Sequence, residues 1–131
     1  MKAFFRTRLG KLYVGKTEEV LASKVGRALE GKVQLLFTSP PFPLNHKKEY
    51  GNLTGDKYVE WLRGFAPVFA KLLTPDGSIV IELGNAWESK RPVQSLLSLK
   101  ALMAFAEHPL ASLRLCQEFV CYNRARLPTP A

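Results

Sequence analysis

The residues with the clearest chemical content are Thr38-Ser39-Pro40-Pro41-Phe42. Two hydroxyls are followed by two prolines, neither of which has an N–H to give to a helix or sheet. Pro41 also holds Pro40 in an extended conformation. No helix starting there consumes the carbonyls of Ser39 and Pro40, which stay free as acceptors. Phe42 adds a large flat side chain. The stretch reads as a rigid turn that sets polar acceptors beside an aromatic plane; the plainer alternative is a proline-rich loop with Phe42 tucked back into the core. Immediately upstream, Val33 to Phe37 is apolar at most positions, as in a central strand covered on both faces. The turn therefore falls at the C-terminal end of a strand, where open parallel sheets bind ligands.

Thr38-Ser39-Pro40-Pro41-Phe42 resembles the catalytic motif of the amino-methylating DNA methyltransferases, a strand ending in Ser/Asp/Asn-Pro-Pro-Tyr/Phe. The serine version is similar to the cytosine-N4 branch, whereas Asp-Pro-Pro-Tyr is commoner in the adenine-N6 branch. The resemblance implies transfer of a methyl group from S-adenosylmethionine to the exocyclic amino group of a cytosine, in a restriction-modification type system. Ser39 Oγ and the Pro40 carbonyl would accept hydrogen bonds from the amino group and hold its lone pair on the sulfonium methyl, a gain in orientation and electrostatics. Pro41 would stiffen the turn, Phe42 would stack on the flipped base, and Thr38 would border the cofactor. In the polar loop that follows, Asn45, Lys47, Lys48 and Tyr50 would meet DNA; otherwise it is a solvated loop.

The elements that must position this turn can be read on either side of it. Lys11 to Val14 is a short strand ended by Gly15. Thr17 is a candidate N-cap for a helix with Val20, Leu21, Val25, Ala28 and Leu29 on one face, ended by Gly31. If the strands before and after it share a sheet, they pair in parallel through a right-handed crossover. Downstream, Asp56 caps a helix from Lys57 to about Leu73, with Tyr58, Leu62, Phe65, Phe69 and Leu72 at helical spacing. Pro67 should kink or divide it. Thr74-Pro75-Asp76-Gly77 is a turn signal, leading to a strand at Ser78–Leu83. Pro92 opens a further helix to about Glu107. Leu113 to Tyr122 alternates as a strand. The expected fold is α/β, a partial Rossmann-like methyltransferase fold with a mostly parallel sheet of about four strands flanked by helices.

Length and composition agree with one domain: 131 residues, 47% hydrophobic. The net charge of +8 favours a polyanionic partner such as duplex DNA. No apolar run approaches the roughly 20 residues that span a membrane. Cys116 and Cys121 fall on opposite faces of the expected strand, so free thiols and a cytoplasmic location are expected. The cysteines and His46 and His108 have no metal-ligand spacing.

The resemblance covers about Arg6 to Pro130, yet only a portion of the family's enzyme. Gly15-Lys16 stands where the family has Gly-Asp, and no F-x-G-x-G-like loop for the cofactor occurs. The chain thus reads as an incomplete catalytic domain, without the cofactor-loop and target-recognition regions. A companion chain or further sequence would supply them. The isolated chain is expected to be inactive and to bind S-adenosylmethionine weakly or not at all. The alternatives are adenine-N6 specificity and a non-catalytic basic module that binds nucleic acid or a partner.

Overall fold

Amphipathic spacing is strongest in the segment after the loop, and there the computed structural model places its longest helix. The structure describes residues 1–41, 55–84, 88 and 91–121. Helix α3, Asp56–Leu72, buries Tyr58, Leu62, Phe65, Ala66, Phe69 and Leu72. Asp56 is its first residue, not its cap; Gly55 holds the cap position with φ 56°. The Asp56 carboxylate still complements the helix dipole from the first turn. Helix α3 is continuous through Pro67.

Upstream of α3 lie two short strands, two short helices and one long strand. Strands β1, Phe5–Arg6, and β2, Lys11–Leu12, pair antiparallel as a hairpin. Thr7 Oγ1 accepts from the N–H of Leu9 and of Gly10, closing the turn. This local turn lets β2 find its partner nearby, and it does not join the sheet of the Val33 strand. The expected single helix after Thr17 is two: α1, Thr17–Ala22, and α2, Lys24–Arg27. Ser23 divides them. Its hydroxyl donates to the Val20 carbonyl at 2.7 Å and accepts from Val25 N–H at 3.1 Å, a local alternative to the helical ladder. Lys16, not Thr17, holds the N-cap position of α1, with no side-chain cap.

Strand β3, Val33–Thr38, pairs in parallel with β4, Leu73–Ile81. The segment Thr74-Pro75-Asp76-Gly77 lies inside β4 and not in a separate turn. The register shows why: Val33 faces Leu73, but Leu35 faces Ser78. The turn-forming residues are the surplus of a wide irregularity, not a break between elements. Gly77 is needed there because a Cβ would come within 2.8 Å of the Val33 carbonyl oxygen.

Helix α4 is Leu97–Ala106. It starts later than Pro92 predicts. Arg91 N–H donates to the Glu88 carbonyl at 3.3 Å, Glu88 N–H donates to the Val93 carbonyl at 2.7 Å, and Ser95 Oγ accepts from Leu97 N–H at 3.3 Å. Pro92 is thus held in a turn, and the helix begins only beyond Ser95. Residues 113–121 carry no strand, since no ladder partner meets them among the described residues.

The core is one cluster. Tyr58, Leu62, Phe65, Ala66 and Phe69 of α3 meet Ala101 and Phe105 of α4, and Leu36, Ile79 and Ile81 of the sheet pack against them. Helices therefore cover one sheet face. The Tyr58 hydroxyl is buried there without a hydrogen-bond partner among the described residues, and burial pushes its pKa up to about 12. A buried, unsatisfied hydroxyl costs free energy that a phenyl ring does not. Tyr58→Phe is expected to stabilise the chain by about 1 kcal/mol, read as a higher urea midpoint at unchanged slope.

Candidate active site

The parallel pair sets the site's geometry. Partners in register share a face: Leu36 and Ile79 point to the helices, whereas Phe37 and Val80 point to the open side. One step on, Thr38 and Ile81 are half-buried, and Ser39 and Glu82 are exposed. Glu82 N–H donates to the Thr38 carbonyl at 2.9 Å, extending the ladder past the end of β4. Ser39 and Glu82 therefore occupy equivalent positions just past adjacent strands, on the open face, at the C-terminal end of both. Strand spacing there is about 4.8 Å.

Pro40 is half-buried and Pro41 exposed, and β3 ends at Thr38, so residues 39–41 lie in neither helix nor strand. Thr38 lies on the helix-facing side, opposite to Ser39. Phe42, Asn45, Lys47, Lys48 and Tyr50 lie outside the described residues, as do Asn85, Ala86 and Trp87 after β4 and everything from Tyr122 onward.

Glu82 is a residue to which sequence reasoning assigns no catalytic role: within a buried strand its carboxylate needs a partner or an edge position. It instead emerges just past the strand, exposed beside Ser39. The alternation of Ile79, Ile81 and Leu83 already assigns it to the other face; which strand lay beside it was the missing information. Such a pair can offer a hydroxyl acceptor and a carboxylate to one amino group.

A second feature lies between α1 and α3. A groove of about 330 Å³ is lined by Glu18, Leu21, Ala22, Trp61, Gly64, Phe65 and Val68, and none of residues 38–41 takes part. Trp61 Nε1–H donates to Glu18 Oε1 at 3.0 Å, and the Trp61 ring meets Phe65 edge-on at 5.3 Å. The contact pins α1 to α3. A backbone hydrogen bond within Glu18 holds its carboxyl below the usual range, helped by Trp61 and by nearby Lys16 and opposed by slight burial. The stabilisation linked to a depressed carboxyl is present above the unfolded pKa and is lost as pH falls through the folded one. Acidification below about pH 4 should weaken the chain by this route. Trp61→Phe should flatten that part of a plot of melting temperature against pH.

A short parallel pair with polar residues at its C-terminal end, backed by two helices, is a fragment of an open α/β fold. The family model described as DNA methylase matches residues 33–114, the span of β3, α3, β4 and α4, and the chain belongs to that family. Among its relatives is the Type II methyltransferase M.PvuII of Proteus hauseri, 36% identical over 129 residues, or 98% of this chain. The solved structure of PvuII DNA methyltransferase (cytosine-N4-specific) covers 76% of this chain at 38% identity with a TM-score of 0.61. The chain spans 37% of the length of M.PvuII and 34% of that solved chain. The architecture is accordingly a partial methyltransferase fold. No helix among the described residues is long and apolar enough to cross a membrane.

Proposed function

We propose that this chain is the base-holding portion of a cytosine-N4 DNA methyltransferase of a restriction-modification system, acting in the cytoplasm on duplex DNA. The observation that carries the reading is the exposed Ser39–Glu82 pair at the C-terminal end of the parallel strands, next to a turn whose prolines leave carbonyls free. Ser39 Oγ and the Pro40 carbonyl accept the two hydrogens of the cytosine amino group and turn its lone pair towards the methyl donor. The nitrogen becomes positive as its new bond forms, and the Glu82 carboxylate favours that charge and offers a place for the departing proton. Pro41 fixes the turn, and Phe42 stacks on the flipped base. Asn45, Lys47, Lys48 and Tyr50 face the DNA, where the net charge of +8 favours phosphate contact.

S-adenosylmethionine is the donor that this chemistry calls for, and Thr38 is its proposed neighbour. The residues present do not fit the whole cofactor. Lys16 has no acceptor to offer an adenine amino group, and the nearby Glu18 carboxylate is already engaged by Trp61. The donor site is completed by a further part of the enzyme, which also supplies target recognition, either in the same polypeptide or in a companion.

The test is a chimera in which this chain replaces the matching 129 residues of M.PvuII. Nucleoside analysis of treated duplex DNA should show N4-methylcytosine. N6-methyladenine alone would reassign the base. Salt-sensitive DNA binding without any methylation would make the chain a non-catalytic module.

A further inference from the structure

Ahead of the family-matched span, which begins at residue 33, lies a basic hairpin. Residues 1–17 hold Lys2, Arg6, Arg8, Lys11 and Lys16 and no aspartate or glutamate. Strands β1 and β2 set Arg6 directly opposite Lys11, and Phe5 opposite Leu12. Alternation puts the two cations on one face of the ribbon and the two apolar residues on the other. Directly opposite side chains have Cβ atoms about 4.5–5.5 Å apart, and like charges at that separation destabilise a hairpin. Arg8 stands at the tip, in the turn that Thr7 Oγ1 closes. Arg6, Arg8 and Lys11 are all exposed. Among the described residues the ion pairs are Arg63–Glu60 and Arg91–Glu88, so none of these three cations has a carboxylate partner there. Lys16 differs, because its charge acts on Glu18. The hairpin thus holds two cations face to face and a third beyond them, with no described anion to offset their repulsion.

We propose that the hairpin face carrying Arg6 and Lys11, with Arg8 at its tip, is a contact surface for the phosphate backbone of duplex DNA, separate from the loop after Pro41. An external polyanion supplies the charge that the hairpin lacks. Duplex DNA carries one negative charge per about 1.7 Å of its axis, dense enough to meet all three cations together. A two-stranded ribbon is also narrow enough to lie in or along the major groove. The contacts go to phosphates, so they supply affinity and orientation and carry no base sequence. The partner rests on the reading above, in which the substrate is duplex DNA. The distribution of side chains favours the same partner over an anionic membrane. Membrane binding would turn Phe5 and Leu12 to the lipid, and so turn Arg6 and Lys11 away from the headgroups.

The experiment measures binding of the full chain to a fluorescently labelled DNA duplex by anisotropy, over a series of salt concentrations and without a methyl donor. Each phosphate contact contributes about 0.9 to the slope of log affinity against log salt. Arg6→Ala, Arg8→Ala and Lys11→Ala together should therefore reduce the slope by about 2.7, and weaken binding at least tenfold at about 0.1 M salt. All three side chains are exposed, so the triple variant should keep the circular dichroism spectrum of the parent chain. Lys100→Ala removes an exposed cation on α4 and should leave the slope unchanged. Lys11→Glu separates contact from fold. It turns a like-charge pair into an opposite one, so the melting temperature of the free chain should hold or rise while affinity for DNA falls. Methylation is not read, so the result stands apart from whether Ser39 acts in catalysis. An unchanged slope in the triple variant would overturn the proposal. So would a parent chain that binds no duplex even at low salt, or a slope that Lys100→Ala lowers as much as Lys11→Ala does. Binding to vesicles of phosphatidylserine and phosphatidylcholine that the triple variant loses, with its DNA binding intact, would also overturn it and give the face to a membrane.

Discussion

Ser39→Ala in the M.PvuII chimera is expected to lower the rate of cytosine N4-methylation by about 10²-fold, in line with loss of one preorganised polar contact to a reacting group. The physical reason is specific to an amino group conjugated with a ring. Its lone pair is spread into the base, and it attacks well only when both hydrogens are held so that the nitrogen can become tetrahedral. Removing Oγ leaves the Pro40 carbonyl without its side-chain companion in holding the two hydrogens. The loss should appear in kcat more than in KM, because the contact strengthens as charge develops on the nitrogen. Ser39→Asp keeps an acceptor at the same place and should recover part of the rate. Ser39 is exposed at a strand end, so neither variant should alter stability by more than about 0.5 kcal/mol. Equal rates for wild type and Ser39→Ala would remove Ser39 from the mechanism and leave Glu82 as the polar group to test next.

The largest expected effect on stability is at Phe69. Its ring is buried, packs 5.2 Å from Phe65 on its own helix and 6.0 Å from Phe105 across to α4. Phe69→Ala removes the aromatic bridge between the two helices and leaves a cavity, at a cost of about 3–5 kcal/mol. A domain of this size has a total stability on the order of 5–15 kcal/mol, so the variant should show a sharply lower urea midpoint or no cooperative transition. The control is Phe37→Ala in the isolated chain. The same residue type stands on the open sheet face, and its loss should cost less than about 0.5 kcal/mol. The contrast between two phenylalanines measures how one-sided the core is.

Much of α3 was legible in the sequence because its stripe is long and regular: Tyr58, Leu62, Phe65, Phe69 and Leu72 are all buried in the structure. Strand β3 was legible for a different reason. A run of apolar residues closed by two prolines leaves few other options. The short elements were less so. Ser23 splits the helix after Thr17 through two hydrogen bonds to its immediate neighbours, and an apolar stripe does not register them. Thr74 to Gly77 reads as a turn by composition, yet those residues bulge within β4, because the register on either side is fixed by pairing with β3.

The sequence by itself determined strand β3 and its end before the two prolines. Both follow from proline's missing N–H and from local apolar patterning, which require no distant partner. It also determined family membership, since the motif and the segments around it lie close together along the chain. Only the tertiary structure decided what stands beside Ser39. Glu82 reaches that position through the parallel pairing of β3 with β4, a contact between segments separated by the whole of α3. The tertiary structure also decided which sheet face is open. Alternation assigns Leu35, Phe37 and Val80 to one side, but whether that side is covered depends on where α3 and α4 pack. They pack on the other, where the apolar stripe of α3 and the buried residues of α4 meet each other and Leu36, Ile79 and Ile81.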